Sequence, residues 1–245
     1  MNTRFIFTGL LGFCALLLSG CGFTVVRGSG HVVTETRPVS DFSRVDLVGS
    51  GEVIVTQDDQ ESLAVKADDN LLSHLRTEVR GSTLYLGLHT NDVGDILQPT
   101  QPIKYYVSLK TVEALVLSGS GDIQAANVEA EQLDLNLTGS GNITIDTLSA
   151  KTVRSTITGS GNCRVGGGTV QIETVGIGGS GNYTADKLHS TASTVTITGS
   201  GEADVWAQDA LEAGITGSGT VRYYGAPQVT RRVTGSGTIE AVAMR

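Results

Sequence analysis

The triplet Gly-Ser-Gly occurs nine times in this chain, and its spacing constrains the fold more than any other feature. The first glycines are Gly28, Gly49, Gly119, Gly139, Gly159, Gly179, Gly199, Gly217 and Gly235. From Gly119 to Gly199 every step is 20 residues, and the last two steps are 18. A fixed period of this length marks a solenoid, in which each repeat packs on its neighbours. The flanks repeat as well. Two residues ahead of the triplet stand Leu117, Leu137, Ile157, Ile177, Ile197, Ile215 and Val233. Two residues beyond it stand Ile123, Ile143, Cys163, Tyr183, Ala203, Val221 and Ile239. Successive side chains of a strand point to opposite faces, so apolar residues at every second position give each strand one buried face. Leu133-Asp134-Leu135-Asn136-Leu137 shows that alternation most plainly.

The regular triplets are Gly119-Ser120-Gly121, Gly139-Ser140-Gly141, Gly159-Ser160-Gly161, Gly179-Ser180-Gly181 and Gly199-Ser200-Gly201, and they read as corners between strands. A tight corner calls for positive φ, which glycine adopts without a Cβ clash. Two glycines let successive turns stack closely, and the serine between them is expected to hydrogen-bond across the stacked turns. Hairpins would place successive triplets at alternating ends and favour two-residue Asn-Gly or Asp-Gly loops. An identical corner every 20 residues fits an all-β fold of the parallel β-helix kind, with a sandwich or propeller as the rival. At the strand spacing of ~4.8 Å, the seven C-terminal triplets span roughly 30 Å. The nine triplets hold 18 of the 32 glycines, so the glycine excess is the repeated corner itself. Four prolines and no Gly-X-Y period exclude collagen.

Residues 119–245 therefore form the regular coils, and residues 31–118 an irregular N-terminal part that caps that end. Within it, 31–36, 45–56, 63–67, 83–88 and 104–109 read as strands. Asp68 to Leu75 reads as one short helix capped by Asp68 or Asp69. Residues 91–101 read as a loop, and Gly81-Ser82 as the remnant of a lost triplet.

Phe5 to Leu18 is an apolar run of 14 residues behind Arg4. It is shorter than the ~20 residues a spanning helix needs and fits the hydrophobic region of a signal peptide. Leu18-Ser19-Gly20-Cys21 follows at once and resembles the lipobox of bacterial lipoproteins, in which the cysteine thiol accepts a diacylglycerol. Residues 1–20 are then the leader, Cys21 is the lipidation site, and residues 21–30 form a tether to the membrane. Gly22, rather than aspartate, after Cys21 resembles the outer-membrane sorting pattern of Gram-negative envelopes. Cys163 is left as a lone thiol at an inward position, a buried core residue.

Several classes of function lack support. The net charge is -8 and no basic run appears, which disfavours nucleic acid. No Cys/His cluster with metal-ligand spacing occurs, and the sequence implies no metal and no cofactor. The positions after each triplet carry Glu52, Asp122, Asn142, Asn162, Asn182, Glu202, Thr220 and Thr238. Calcium prefers several carboxylates, so this column reads as turn residues bonding neighbouring backbone. Asp92, Asp95, Asp186, Asp204 and Glu173 are the candidate acids of a polysaccharide-acting enzyme. They sit at different offsets from the triplets and read as solvated surface, and no aromatic platform is evident. His31, His74, His89 and His189 form no metal-spaced pair and read as surface residues.

The chain resembles the putative auto-transporter adhesin, head GIN domain family of bacterial envelope proteins. The matching residues are Gly28-Ser29-Gly30, Thr34-Glu35-Thr36-Arg37-Pro38-Val39, Asp41-Phe42, Val45-Asp46-Leu47, Gly49-Ser50-Gly51-Glu52-Val53, Leu71-Leu72 and the repeated Gly-Ser-Gly-Asp/Asn. The resemblance implies a right-handed β-helix, an exported location and no catalytic residues. The expected role is a non-catalytic, lipid-anchored envelope module. Its partner would be a surface glycan, an envelope protein or a second copy of the chain, the last through strand edges left open at the C-terminal end. The alternative is a polysaccharide lyase or hydrolase.

Overall fold

The computed structural model describes residues 25–89 and 96–243. The leader, Cys21, Asp92 and Asp95 lie outside the described residues. The N-terminal part holds β1 (Val25–Arg27), β2 (Val32–Arg37), β3 (Arg44–Gly49), β4 (Glu52–Gln57), β5 (Ser62–Asp68), β6 (Leu75–Arg80), β7 (Thr83–Leu88), β8 (Ile96–Gln98), β9 (Lys104–Leu109) and β10 (Ala114–Gly119). The regular part holds β11 (Asp122–Gly139), β12 (Asn142–Gly159), β13 (Asn162–Val165), β14 (Gly168–Gly179), β15 (Asn182–Gly199), β16 (Glu202–Gly217), β17 (Thr220–Tyr224), β18 (Gln228–Gly235) and β19 (Thr238–Ala241). The whole is a parallel β-solenoid of about six turns.

Parallel, in-register stacking turns the sequence period into spatial adjacency. Leu117 lies beside Leu137, Leu137 beside Ile157, Ile157 beside Ile177, Ile177 beside Ile197, and Ile197 beside Ile215. A second inward column runs Ile123, Ile143, Cys163, Tyr183, Ala203 and Val221, all buried. Each large apolar side chain so buried contributes roughly 1.5–3 kcal/mol, and the coils supply one another's backbone hydrogen bonds.

The N-terminal part closes one end of this stack by a change of strand direction. Strand β7 lies parallel beneath β3, and β9 parallel beneath β4. Strand β6 then pairs antiparallel with β7, and β5 with β9 and β2. Gly81-Ser82 is the two-residue turn of the β6–β7 hairpin, with Arg80 opposite Thr83 and φ of 58° at Gly81. It is therefore no remnant of a solenoid corner. The expected helix shrinks to a single 3-10 turn, Leu72–His74, which no side chain caps. Asp68 is buried, and its carboxylate accepts hydrogen bonds from Gly30 N (2.9 Å), Thr100 N (2.9 Å) and Thr100 Oγ1 (2.7 Å). The Thr100 hydroxyl, first among these donors, holds its pKa below the ordinary carboxylate range. This ties the first triplet to the body and keeps it out of the stack, and Ser29 Oγ donates to Asp69 at 2.5 Å. Strand β1 pairs with β8, inside the expected loop. From Val25 onward, the segment expected as a free tether is docked.

At the other end, among the described residues, β18 and β19 each pair on one side only. Arg231 occupies an inward column below Ala213, stands over the Tyr223 ring at 5.6 Å and donates to its hydroxyl at 2.7 Å. A charge pointing in at the last rung opposes edge-to-edge pairing.

Candidate functional site

The corners explain why the triplet repeats. Gly139 has φ of 126°, and a Cβ there would run into the carbonyl oxygen of Gly119. Gly141 has ordinary φ, yet its Cβ would meet the carbonyl oxygen of Gly121 and the Leu117 side chain. The first glycine thus answers to conformation and contact, the third to contact alone. The serines act differently from the sequence expectation. Their backbone N–H groups bridge the turns, Ser140 to Gly119 O at 3.0 Å and Ser160 to Gly139 O at 2.9 Å. The side chains of Ser120, Ser140, Ser160, Ser180 and Ser200 belong to exposed residues. The corner turns each serine side chain outward.

Beside the corners runs an amide ladder. Asn142 Nδ2 donates to Asp122 Oδ1 at 2.7 Å, Asn162 to Asn142 at 2.9 Å, and Asn182 to Asn162 at 2.9 Å. The partners are side chains of the adjacent coil, where bonds to backbone were expected, because identical residues stand in register. Lys104 closes one end on Glu52 at 2.6 Å, and Arg222 the other on Glu202 at 2.7 Å. Among the described residues no group of three or more His, Cys, Asp or Glu side chains is placed to hold a metal.

The candidate acids separate. Asp204 is bound by Arg222 Nε at 2.6 Å. Glu173, expected at the surface, is fully buried. It stands in the inward column with Val153 and Ser193. It accepts hydrogen bonds from Tyr183 Oη at 2.9 Å and Ser193 Oγ at 2.7 Å. Burial pushes its carboxyl up to about 7. Cys163 is buried in the same core, and burial pushes its thiol up to about 12, so it is inert as a nucleophile.

Asp186 has a different setting, created by the shortening of the period. Strand β16 follows β15 in normal register as far as Ala185 and Val205. The register then shifts, and His189 pairs with Trp206 and Ala192 with Ala210. At that corner β15 carries three residues, Asp186, Lys187 and Leu188, that the shorter coil lacks, and β16 regains one between Ala207 and Ala210, a net loss of two. The missing residues leave a notch of about 670 Å³, lined by Asp186, Lys187, His189, Trp206, Tyr224, Val242 and Ala243. His189 stacks on Trp206 with ring centroids 4.0 Å apart and planes 13° from parallel. Tyr224 stands on the next rung beside Trp206. The rings are thus held on strands, whose backbone is rigid. An aromatic platform is therefore present, contrary to the sequence expectation, and His189 belongs to it. The 18-residue steps were the signal, but constant-offset columns do not align His189 with Trp206.

Among the described residues, fold and surface together define a parallel β-solenoid with a closed core and a shallow lateral site. The chain belongs to the putative auto-transporter adhesin, head GIN domain family, whose profile matches residues 41–227. Solved structures share the fold. A putative adhesin from Bacteroides fragilis is 24% identical with a TM-score of 0.83, over 89% of this chain and 100% of that one. A putative lipid binding protein from Parabacteroides distasonis is 27% identical with a TM-score of 0.77, over 90% of this chain and 100% of that one. A putative adhesin from Parabacteroides merdae is 24% identical with a TM-score of 0.72, over 90% of this chain and 100% of that one. No curated protein matches the chain.

Proposed function

We propose that this is a non-catalytic binding module, adhesin-like, held on the cell envelope by lipid at Cys21. The observation that carries the binding reading is the notch, which offers aromatic surface and a single carboxylate, Asp186. Hydrolysis of a glycosidic bond uses two carboxyl groups flanking it. Of the other described candidate acids, Asp204 is paired with Arg222, and Glu173 is enclosed in the core. The adhesin descriptions of the family and of related structures support the same reading.

Anchoring is supported by the lipobox-like Leu18-Ser19-Gly20-Cys21, and Gly22 supports sorting to the outer membrane. Strand β1 begins at Val25, so an acylated Cys21 would hold the body within ~15 Å of the bilayer. In cells fed labelled palmitate, the wild-type chain is expected to carry label and sediment with membranes, and Cys21→Ser to lose both. Unchanged membrane retention by the variant would overturn the anchor.

One observation favours a second reading, lipid binding. A largely apolar cleft of about 390 Å³ lies at the N-terminal end, among Val48, Leu75, Leu88, Leu97, Ile103 and Tyr105. Its size suits an acyl chain. Displacement of a fluorescent fatty acid by unlabelled lipid tests this, and an Ile103→Asp variant that binds equally well would end it.

A further inference from the structure

We infer that the notch at the shortened coil binds a neutral sugar ring of a polysaccharide or surface glycan. This deepens the binding reading and rests on it. A pyranose has two kinds of surface: a patch of C–H groups on a ring face and hydroxyls around the rim. The first is buried favourably against aromatic rings, whose negative faces attract polarised C–H groups. The second needs donors and acceptors at the edge, because a hydroxyl buried without a partner costs more than the contact returns.

The notch supplies both. Trp206 and Tyr224 are half-buried and His189 is exposed, so aromatic surface faces the opening. Lys187 offers three N–H donors and Asp186 two acceptor oxygens. Neither side chain has a hydrogen-bond or ion-pair partner among the described residues. The Trp206 ring is already immobilised by the His189 stack, so little side-chain entropy is lost when a ligand packs there. The volume of about 670 Å³ lies within the 300–1,000 Å³ typical of ligand sites.

Charge selects among sugars and against other flat ligands. One ammonium and one carboxylate sum to nothing, which suits an uncharged polyol. A phosphate or nucleotide calls for a basic cluster, and the chain as a whole carries -8. That excess repels polyanions such as acidic glycans.

Trp206 is the sole tryptophan of the chain, so its emission reports on this notch alone. The experiment is a titration of the full-length protein with cello-, manno-, galacto- and chito-oligosaccharides, with polygalacturonate for comparison. Tryptophan emission and heat of binding are read together. The expected result is a saturable emission change with at least one neutral sugar and none with polygalacturonate. Tyr224→Ala, which keeps the reporter, is expected to weaken binding about tenfold or more, the loss of a contact worth ~1.4 kcal/mol. Thr158→Ala, on a distant coil, should leave it unchanged. Heat without an emission change would place sugar elsewhere, overturning the notch while leaving the binding module standing. Neither signal with any neutral sugar, or full binding by a folded Tyr224→Ala, would also overturn the proposal. Anchoring through Cys21 is decided separately by palmitate labelling.

Discussion

Gly141 and Gly214 mark two uses of glycine in this chain. A Cβ at Gly141 strikes backbone oxygen of the previous coil, whereas one at Gly214 meets nothing within 4 Å. Gly141→Ala is therefore expected to cost about 2–3 kcal/mol through forced displacement of stacked backbone. Gly214→Ala is expected to be neutral or stabilising by about 0.5 kcal/mol, since it restricts the unfolded chain. Urea midpoints of the two variants check this. Glu173 makes a prediction in pH. Its carboxyl is raised from 4.5 to about 7 in the fold, mainly by burial, so the folded state holds a proton the unfolded state has released. Stability is then full below the unfolded value and falls as pH rises through about 7, by up to about 3 kcal/mol. Glu173→Gln should flatten that slope, as read by urea denaturation at about pH 5 and about pH 8. Reading the sequence by columns exposes this residue, because it stands six places ahead of Gly179 just as Val153 does ahead of Gly159. Its charge suggested the surface, and position within the coil decided otherwise.

At the scale of the element, spacing was legible wherever stacking is parallel and in register. A constant offset of 20 then equals one step to the next coil, and the amide ladder of Asn142, Asn162 and Asn182 follows from it. Asn162 donates once and accepts once, so Asn162→Ala should lower stability by about 1 kcal/mol, each exposed bond being worth little net. The antiparallel N-terminal strands were less legible because partner spacing varies. Arg80 meets Thr83 across a hairpin, whereas Val32 meets Asp68. No single period encodes both. The notch was hidden for the same reason, since its rings come together through a register shift. Inserting Asp-Lys after Val205 restores a 20-residue coil. That variant should stay folded, since solenoid corners tolerate short insertions, yet lose the sugar-dependent Trp206 emission. A retained response would show that the notch does not depend on the shortened coil.

For the whole molecule, the two ends differ in kind. The N-terminal end is closed by antiparallel strands, and the C-terminal edge presents Arg231 and Arg232. Replacing both arginines by threonine should increase self-association in sedimentation velocity if their charge is what blunts that edge. The notch proposed as the binding site is cut into one side of the solenoid. A body of this shape, held near a bilayer as proposed for Cys21, suits holding a ligand more than transforming one. Incubation of the purified protein with neutral and acidic polysaccharides, followed by mass spectrometry of the sugars, tests this most directly. The expected result is bound sugar recovered at its original length. Shortened or unsaturated products that vanish with Asp186→Asn or Asp204→Asn would contradict a binding module and make the chain an enzyme.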